Sequence, residues 1–222
     1  VVPHYVYVSG PGANLYGNAT IGDGSMLWVN NHYAGSSGNA SGIVNKSGVT
    51  DTSYYKAKVL DTRGSGNTYF NNSGVMSTGA TGQMFVDIKK LYVSGGGVGI
   101  GNMGGSDNGH IHLNVEDLYL AGNNATGIRT EDLDGNQNIS IVGYVHHILE
   151  AGSQTGTVAF QMYNGRISIV STEILVDTFA YVARGDGANS ALSVVCPNIV
   201  VGTTYSQDLG QGDQIGALKK NI

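Results

Sequence analysis

The chain has 222 residues and a formal net charge of −5, and only 12% of its residues are charged, about half the usual globular share. Its 11 Lys and Arg are scattered without a basic stripe, which argues against a nucleic-acid partner, and no apolar run approaches the ~20 residues of a membrane-spanning helix. The single Cys196 excludes an internal disulfide, and 35 glycines, about twice the usual ~7% share, require a chain that turns often.

In chain order, Tyr5-Val-Tyr-Val8 followed by Ser9-Gly-Pro-Gly12 reads as an opening strand and turn within residues 1–12. From about residue 24 a short alternating apolar run recurs: Leu27-Trp28-Val29, Tyr55-Lys56-Ala57, Val86-Asp87-Ile88, Leu113-Asn114-Val115, Ile139-Ser140-Ile141, Ile167-Ser168-Ile169 and Leu192-Ser193-Val194. Successive first residues are 28, 31, 27, 26, 28 and 25 apart. Alternation with period 2 marks each run as a strand. Val86-Asp-Ile-Lys-Lys-Leu-Tyr-Val93 aligns without gaps on Leu113-Asn-Val-Glu-Asp-Leu-Tyr-Leu120, and Ile139-Ser-Ile-Val142 reappears as Ile167-Ser-Ile-Val170.

A weaker apolar run follows each turn, as in Val98-Gly-Ile100, Gly127-Ile128, Val158-Ala-Phe160 and Ala180-Tyr-Val182. Gly, Asn, Ser and Asp clusters such as Gly104-Gly-Ser-Asp-Asn-Gly109 separate the runs, which is turn chemistry. No long segment with a 3.6-residue period is present, so crossover helices are not expected. A β-sandwich also uses short strands and Gly-rich turns, but the near-constant step of about 27 residues favours a solenoid.

The expected fold is therefore all-β: a single-stranded, right-handed parallel β-helix of about seven coils, with ~27 residues per coil stacked ~4.8 Å apart. Residues 1–205 make the solenoid, and 206–222 either cap the last coil or lead to a further segment. The chain opens on Val1 and reads as a piece of a longer polypeptide.

His4-Tyr-Val-Tyr-Val-Ser-Gly-Pro-Gly-Ala13, then Ile21-Gly-Asp-Gly-Ser25 and the strand ladder, resemble the opening of β-helices in bacteriophage tailspikes and tail fibres. The pectate-lyase-like superfamily shares that architecture. The resemblance lies in composition and rhythm, so no catalytic residue is carried over from it. It implies a structural, receptor-binding protein of the virion surface, outside the cell. Its expected assembly is a homotrimer in contact with other virion proteins, and its ligand a host-surface polysaccharide. A polysaccharide depolymerase, lyase or glycosidase, on the same fold is the alternative, as is a secreted bacterial adhesin.

Among individual residues, Tyr92 and Tyr119 occupy equivalent positions in successive coils and should stack. Tyrosine offers an apolar ring face and a hydroxyl, which suits sugar recognition. Arg129, Glu131, Asp132 and Asp134 form an acidic cluster beside a cation. Tyr92, Tyr119, Arg129, Glu131 and Asp132 are the candidate ligand-binding residues. Should the chain be an enzyme, Glu131, Asp132 and Asp134 are the candidate acid/base groups. Asp87, Asn114, Ser140, Ser168 and Ser193 should form one outer polar ladder. His110 and His112 share a strand face, whereas His146 and His147 should point to opposite faces. No third ligand has a convincing spacing, so no metal or cofactor is expected.

Overall fold

The computed structural model describes residues 14–17, 19–22, 24–34, 41–46, 50–63, 73–78, 81–94, 96–104, 109–132, 138–150, 156–176, 181–185, 190–201, 206–209 and 214–216. Among these residues there are strands and no helix. In chain order they are β1 (Asn14–Tyr16), β2 (Ala19–Ile21), β3 (Met26–Tyr33), β4 (Ser41–Lys46), β5 (Ser53–Asp61), β6 (Ser73–Thr78) and β7 (Gln83–Val93). There follow β8 (Val98–Gly104), β9 (His110–Leu120), β10 (Thr126–Asp132), β11 (Ser140–Glu150), β12 (Val158–Tyr163), β13 (Gly165–Val170) and β14 (Glu173–Val176). The last are β15 (Tyr181–Gly185), β16 (Ser190–Val195), β17 (Asn198–Val201), β18 (Ser206–Leu209) and β19 (Gln214–Gly216).

The chain alternates between two parallel sheets and so winds a β-solenoid. The first sheet runs β1-β3-β5-β7-β9-β11-β13-β16-β19, with β14 beside β11 and β17 beside β14; the second runs β18-β15-β12-β10-β8-β6-β4-β2. Paired positions lie about 28 residues apart, as in Leu27↔Tyr55, Tyr55↔Val86 and Val86↔Leu113. Four successive turns, β5–β6, β7–β8, β9–β10 and β11–β12, carry first-sheet strands of 9 to 11 residues. These long turns are fewer than the seven coils expected. The flanking turns add shorter rungs, 8 residues in β3 and 6 in β13 and β16, to the same sheets. The strands β18 and β19 take the next places on the two sheets, so parallel pairing extends beyond residue 205. The expected opening strand within residues 1–12 lies outside the described residues.

Sequence alternation and burial agree along each long strand up to one point. In β7 the buried residues are Met84, Val86 and Ile88, then Leu91 and Val93, with Lys89 and Lys90 both exposed between them. In β9 the same slip of one residue falls at Glu116-Asp117, and in β11 at His146-His147. Two consecutive outward residues cannot occur in a straight strand, so each of these strands turns a corner without leaving the sheet. This overturns the expectation that His146 and His147 point to opposite faces: both border one outer groove with Glu116.

The register also differs at two steps. Leu113 pairs with Gly143 and Ile111 with Ile141, so Ile139 is not the partner of Leu113. Ile141, in turn, pairs with Ile167. The shifts are four residues at the first step and two at the second, and an even shift keeps every side chain on its expected face while changing the residue it stands on. The expected polar ladder therefore splits. Asp87 and Asn114 are followed by Tyr144, whereas Ser168 and Ser193 stand above Val142. Ser140 pairs with His110 instead, and its hydroxyl lies 2.8 Å from His110 Nδ1.

The core is a set of apolar ladders running along the solenoid. Leu60, Leu91, Leu118 and Ile148 pair rung on rung, as do Ala57, Ile88, Val115 and Val145. Ile43, Val75, Ile100, Ile128 and Phe160 form the facing ladder on the second sheet. All are buried in one cluster, and each large side chain contributes about 1.5–3 kcal/mol. The one buried imidazole in this region is also satisfied. His32 Nε2 donates to the Gly17 carbonyl at 2.7 Å, which leaves Nδ1 to accept from the Tyr55 hydroxyl at 2.9 Å.

The leucine ladder leaves little room opposite it. Gly42, Gly74, Gly99 and Gly127 occupy matching rungs of the second sheet. A Cβ built on Gly99 would lie 2.6 Å from the Gly127 carbonyl oxygen and 3.0 Å from Leu118 Cδ1. Gly99→Ala is therefore expected to destabilise the protein by about 1–3 kcal/mol through overpacking, read as a lower urea midpoint.

Candidate binding groove

The groove is built from the outward positions of five first-sheet strands. Each strand presents two outward side chains in succession, so stacking turn on turn makes two columns. One column is Met26, Tyr54, Phe85, His112 and Val142; the other is Trp28, Lys56, Asp87, Asn114 and Tyr144. Between them Tyr55, Val86, Leu113 and Gly143 line the floor of a cavity of about 500 Å³, within the size range of small-ligand sites. At Gly143 the backbone has φ of 139°, and a Cβ there would fall 2.2 Å from the Leu113 carbonyl oxygen. The floor can approach the neighbouring strand this closely only with glycine.

The first wall is aromatic. Tyr54 stacks on Phe85 at 5.3 Å between ring centroids and 17° between planes, and Phe85 stacks on His112 at 4.5 Å and 9°. Because the rings cover one another's faces, the groove receives their edges, which carry the positive end of the ring quadrupole. Phe85 nevertheless keeps 37% of its surface exposed. The second wall is polar. Lys56 Nζ lies 2.7 Å from Asp87 Oδ2 and 5.6 Å from the centre of the Trp28 ring. Asn114 Nδ2 donates to Asp87 Oδ1 at 3.2 Å. Burial, and secondarily the neighbouring His110, push the His112 pKa below its usual 6.5, so the ring is neutral at neutral pH.

The residues expected from the sequence fall into two other places. Tyr92 and Tyr119 do stack, at 4.6 Å and 8°. Arg63 lies 4.4 Å above the Tyr92 ring and is held by Asp61 through Nε at 2.9 Å and Nη2 at 2.7 Å. The Tyr119 hydroxyl donates to Asp117 at 3.3 Å. The facing sides of both rings, and the Tyr92 face beneath Arg63, are therefore engaged within the protein. Arg129 lies on the second sheet and is only 2% exposed. Its Nη2 donates to Glu131 at 2.7 Å, its Nη1 lies 3.4 Å from Gln161 Oε1, and its guanidinium covers the Tyr163 ring at 4.6 Å. Arg129 and Glu131 thus belong to a buried network rather than to an outer surface shared with the two tyrosines. Asp132 ends β10; its side chain and Asp134 lie outside the described residues.

At the corner, His147 Nδ1 is 2.8 Å from Asp117 Oδ1. No three His, Cys, Asp or Glu among the described residues converge to hold a metal ion. Cys196 is buried and donates to the Asn198 carbonyl at 3.2 Å; burial raises its pKa. Motif reading passed over Tyr54 and Phe85 and placed His112 only beside His110 on one strand face. Tyr54, Phe85 and His112 each stand directly before the first residue of an aligned apolar run, so the register alone places all three in one outward column. Comparison with protein-family models, curated proteins and solved structures finds no match.

His32 and His112 both have folded-state pKa values below 6.5, each chiefly through burial. As pH falls below about 6.5, the unfolded chain takes up protons that the folded chain does not, so the folded state loses stability. Above that pH both states are neutral and the effect vanishes. Urea midpoints are expected to fall between neutral and mildly acidic pH, and His112→Phe, which keeps the aromatic stack, should reduce the slope.

Proposed function

We propose that this chain is a structural, receptor-binding segment of a bacteriophage-type fibre or spike, working outside the cell and holding a host-surface polysaccharide in the groove along β3, β5, β7, β9 and β11. The observation that carries this reading is the pairing of an aromatic wall, stacked over three successive turns, with a hydrogen-bonding wall in a groove lined by five turns. Four steps of ~4.8 Å make the groove roughly 19 Å long, the shape of a linear polymer segment rather than of a compact metabolite. Ring edges suit hydroxyl oxygens, and Asn114, Lys56, Asp87 and Tyr144 offer both donors and acceptors.

Among the described lining residues Asp87 is the single carboxylate. A glycosidase of the common type uses two, so the groove is better equipped to hold a glycan than to cut it. The proposed assembly is a homotrimer attached to other virion proteins. Val170 and Val195 continue the column beyond Tyr144 and are exposed, which supports association of copies along that stripe.

The test is titration of the protein with purified capsular polysaccharides and lipopolysaccharide side chains from candidate hosts. Binding to at least one is expected, with Phe85→Ala weakening it about tenfold, or ~1.4 kcal/mol. Absence of binding across the panel, or full affinity in Phe85→Ala, overturns the reading. Light scattering should give three times the chain mass; a monomer overturns the proposed assembly.

A further inference from the structure

We propose that Asp87 sets the charge selectivity of the groove, neutralising Lys56 from the turn below and so biasing the site toward uncharged glycans. This rests on the polysaccharide reading above and adds the substrate class to it.

Asp87 stands between Lys56 and Asn114 in the parallel register. Its two oxygens are divided between them, Oδ2 to Lys56 at 2.7 Å and Oδ1 to Asn114 at 3.2 Å. Lys56 is the single Lys or Arg among the described lining residues, and Asp87 the single acid. The groove therefore carries one charge of each sign, already joined across neighbouring turns. A uronic-acid polymer lying along the groove has to draw Lys56 away from Asp87 while meeting the Asp87 carboxylate itself. A neutral glycan needs neither rearrangement and finds hydrogen-bonding groups in place. Lys56 and Asp87 keep 53% and 41% of their side chains exposed. Solvent screens such a pair, so the discrimination it gives is a few-fold.

The experiment is affinity electrophoresis of the intact chain in gels containing alginate, a uronic-acid polymer, or the same polymer after carboxyl reduction, which removes its charge. Asp87→Asn keeps the side-chain shape and releases Lys56. It is expected to raise the ratio of retention by alginate to retention by the reduced polymer about three- to fivefold, as for one exposed ion pair. The gain should shrink in high salt and disappear in the double variant Lys56→Met, Asp87→Asn. Asp51→Asn makes the same change in net charge at an exposed position outside the groove lining and should give no gain. Circular dichroism and the thermal midpoint check that each variant is folded. An unchanged ratio in Asp87→Asn, an equal gain in Asp51→Asn, or a gain that survives loss of Lys56 overturns the assignment. Those outcomes leave the host-polysaccharide reading standing, because that reading is decided separately by titration of the unaltered protein.

Discussion

In this fold, paired strand residues stand on one another from turn to turn, and Gly42, Gly74, Gly99 and Gly127 pack tightly against Leu60, Leu91 and Leu118 across the core. The contact sets how near the second sheet comes to the corner of the first. Protein interiors leave almost no free volume, so the glycine column and the leucine column are two halves of one requirement. A larger residue on the glycine side pushes on a backbone carbonyl of the next turn, which cannot rotate away as a side chain can. Strain at one rung thus passes directly to its neighbour, as expected of a solenoid whose units touch only those beside them.

The same stacking that makes a core on the inside makes columns on the outside. Parallel in-register pairing repeats a position every turn, so an aromatic residue in one turn finds its equivalent one rung away. Tyr54, Phe85 and His112 become a continuous wall in this way, as do Tyr92 and Tyr119. What distinguishes the two stacks is their surroundings. Arg63 and Asp117 engage the tyrosine pair, whereas the other wall borders an open channel because the facing column is polar and its residues bond to one another.

Much of this was legible in the sequence because period-2 alternation and a near-constant step are local signals. The seven apolar runs, the gapless alignment of Val86–Val93 on Leu113–Leu120 and the stacking of Tyr92 on Tyr119 follow from them. The corner slips at Lys89-Lys90 and Glu116-Asp117 were not legible, since an extra polar residue inside a strand looks the same as a turn. The displaced register at Ile139 is accompanied by a long-range contact. Asn102, on the second sheet, donates to the Gly109 carbonyl at 2.7 Å and to the Ser140 carbonyl at 3.2 Å. One side chain thereby ties the starts of β9 and β11 side by side, and no local pattern announces that contact. Burial of Arg129 was hidden for a similar reason: its partners Gln161 and Tyr163 lie a full turn away, and a charged residue beside turn-rich sequence is ordinarily solvated.

The low charge content that marks this sequence is itself a consequence of the stacking. Residues in one column sit about 4.8 Å apart, and like charges directly opposite one another are destabilising. A column of repeated lysines or glutamates would therefore repel itself along its whole length. Two of the outward columns avoid this by changing sign or by turning neutral. One runs Trp28, Lys56, Asp87, Asn114 and Tyr144. The corner column runs Val59, Lys90, Asp117, His147, Glu173 and Asn198. In the second, His147 separates two acids and bonds to one of them, while Asn198 Nδ2 donates to Glu173 at 2.6 Å. Asn, Ser and Tyr serve as the spacers because they hydrogen-bond to either sign and carry no charge at neutral pH. The composition and the neutral groove thus have one origin: a charge that can be stacked only on its opposite is a charge already spent when a ligand arrives.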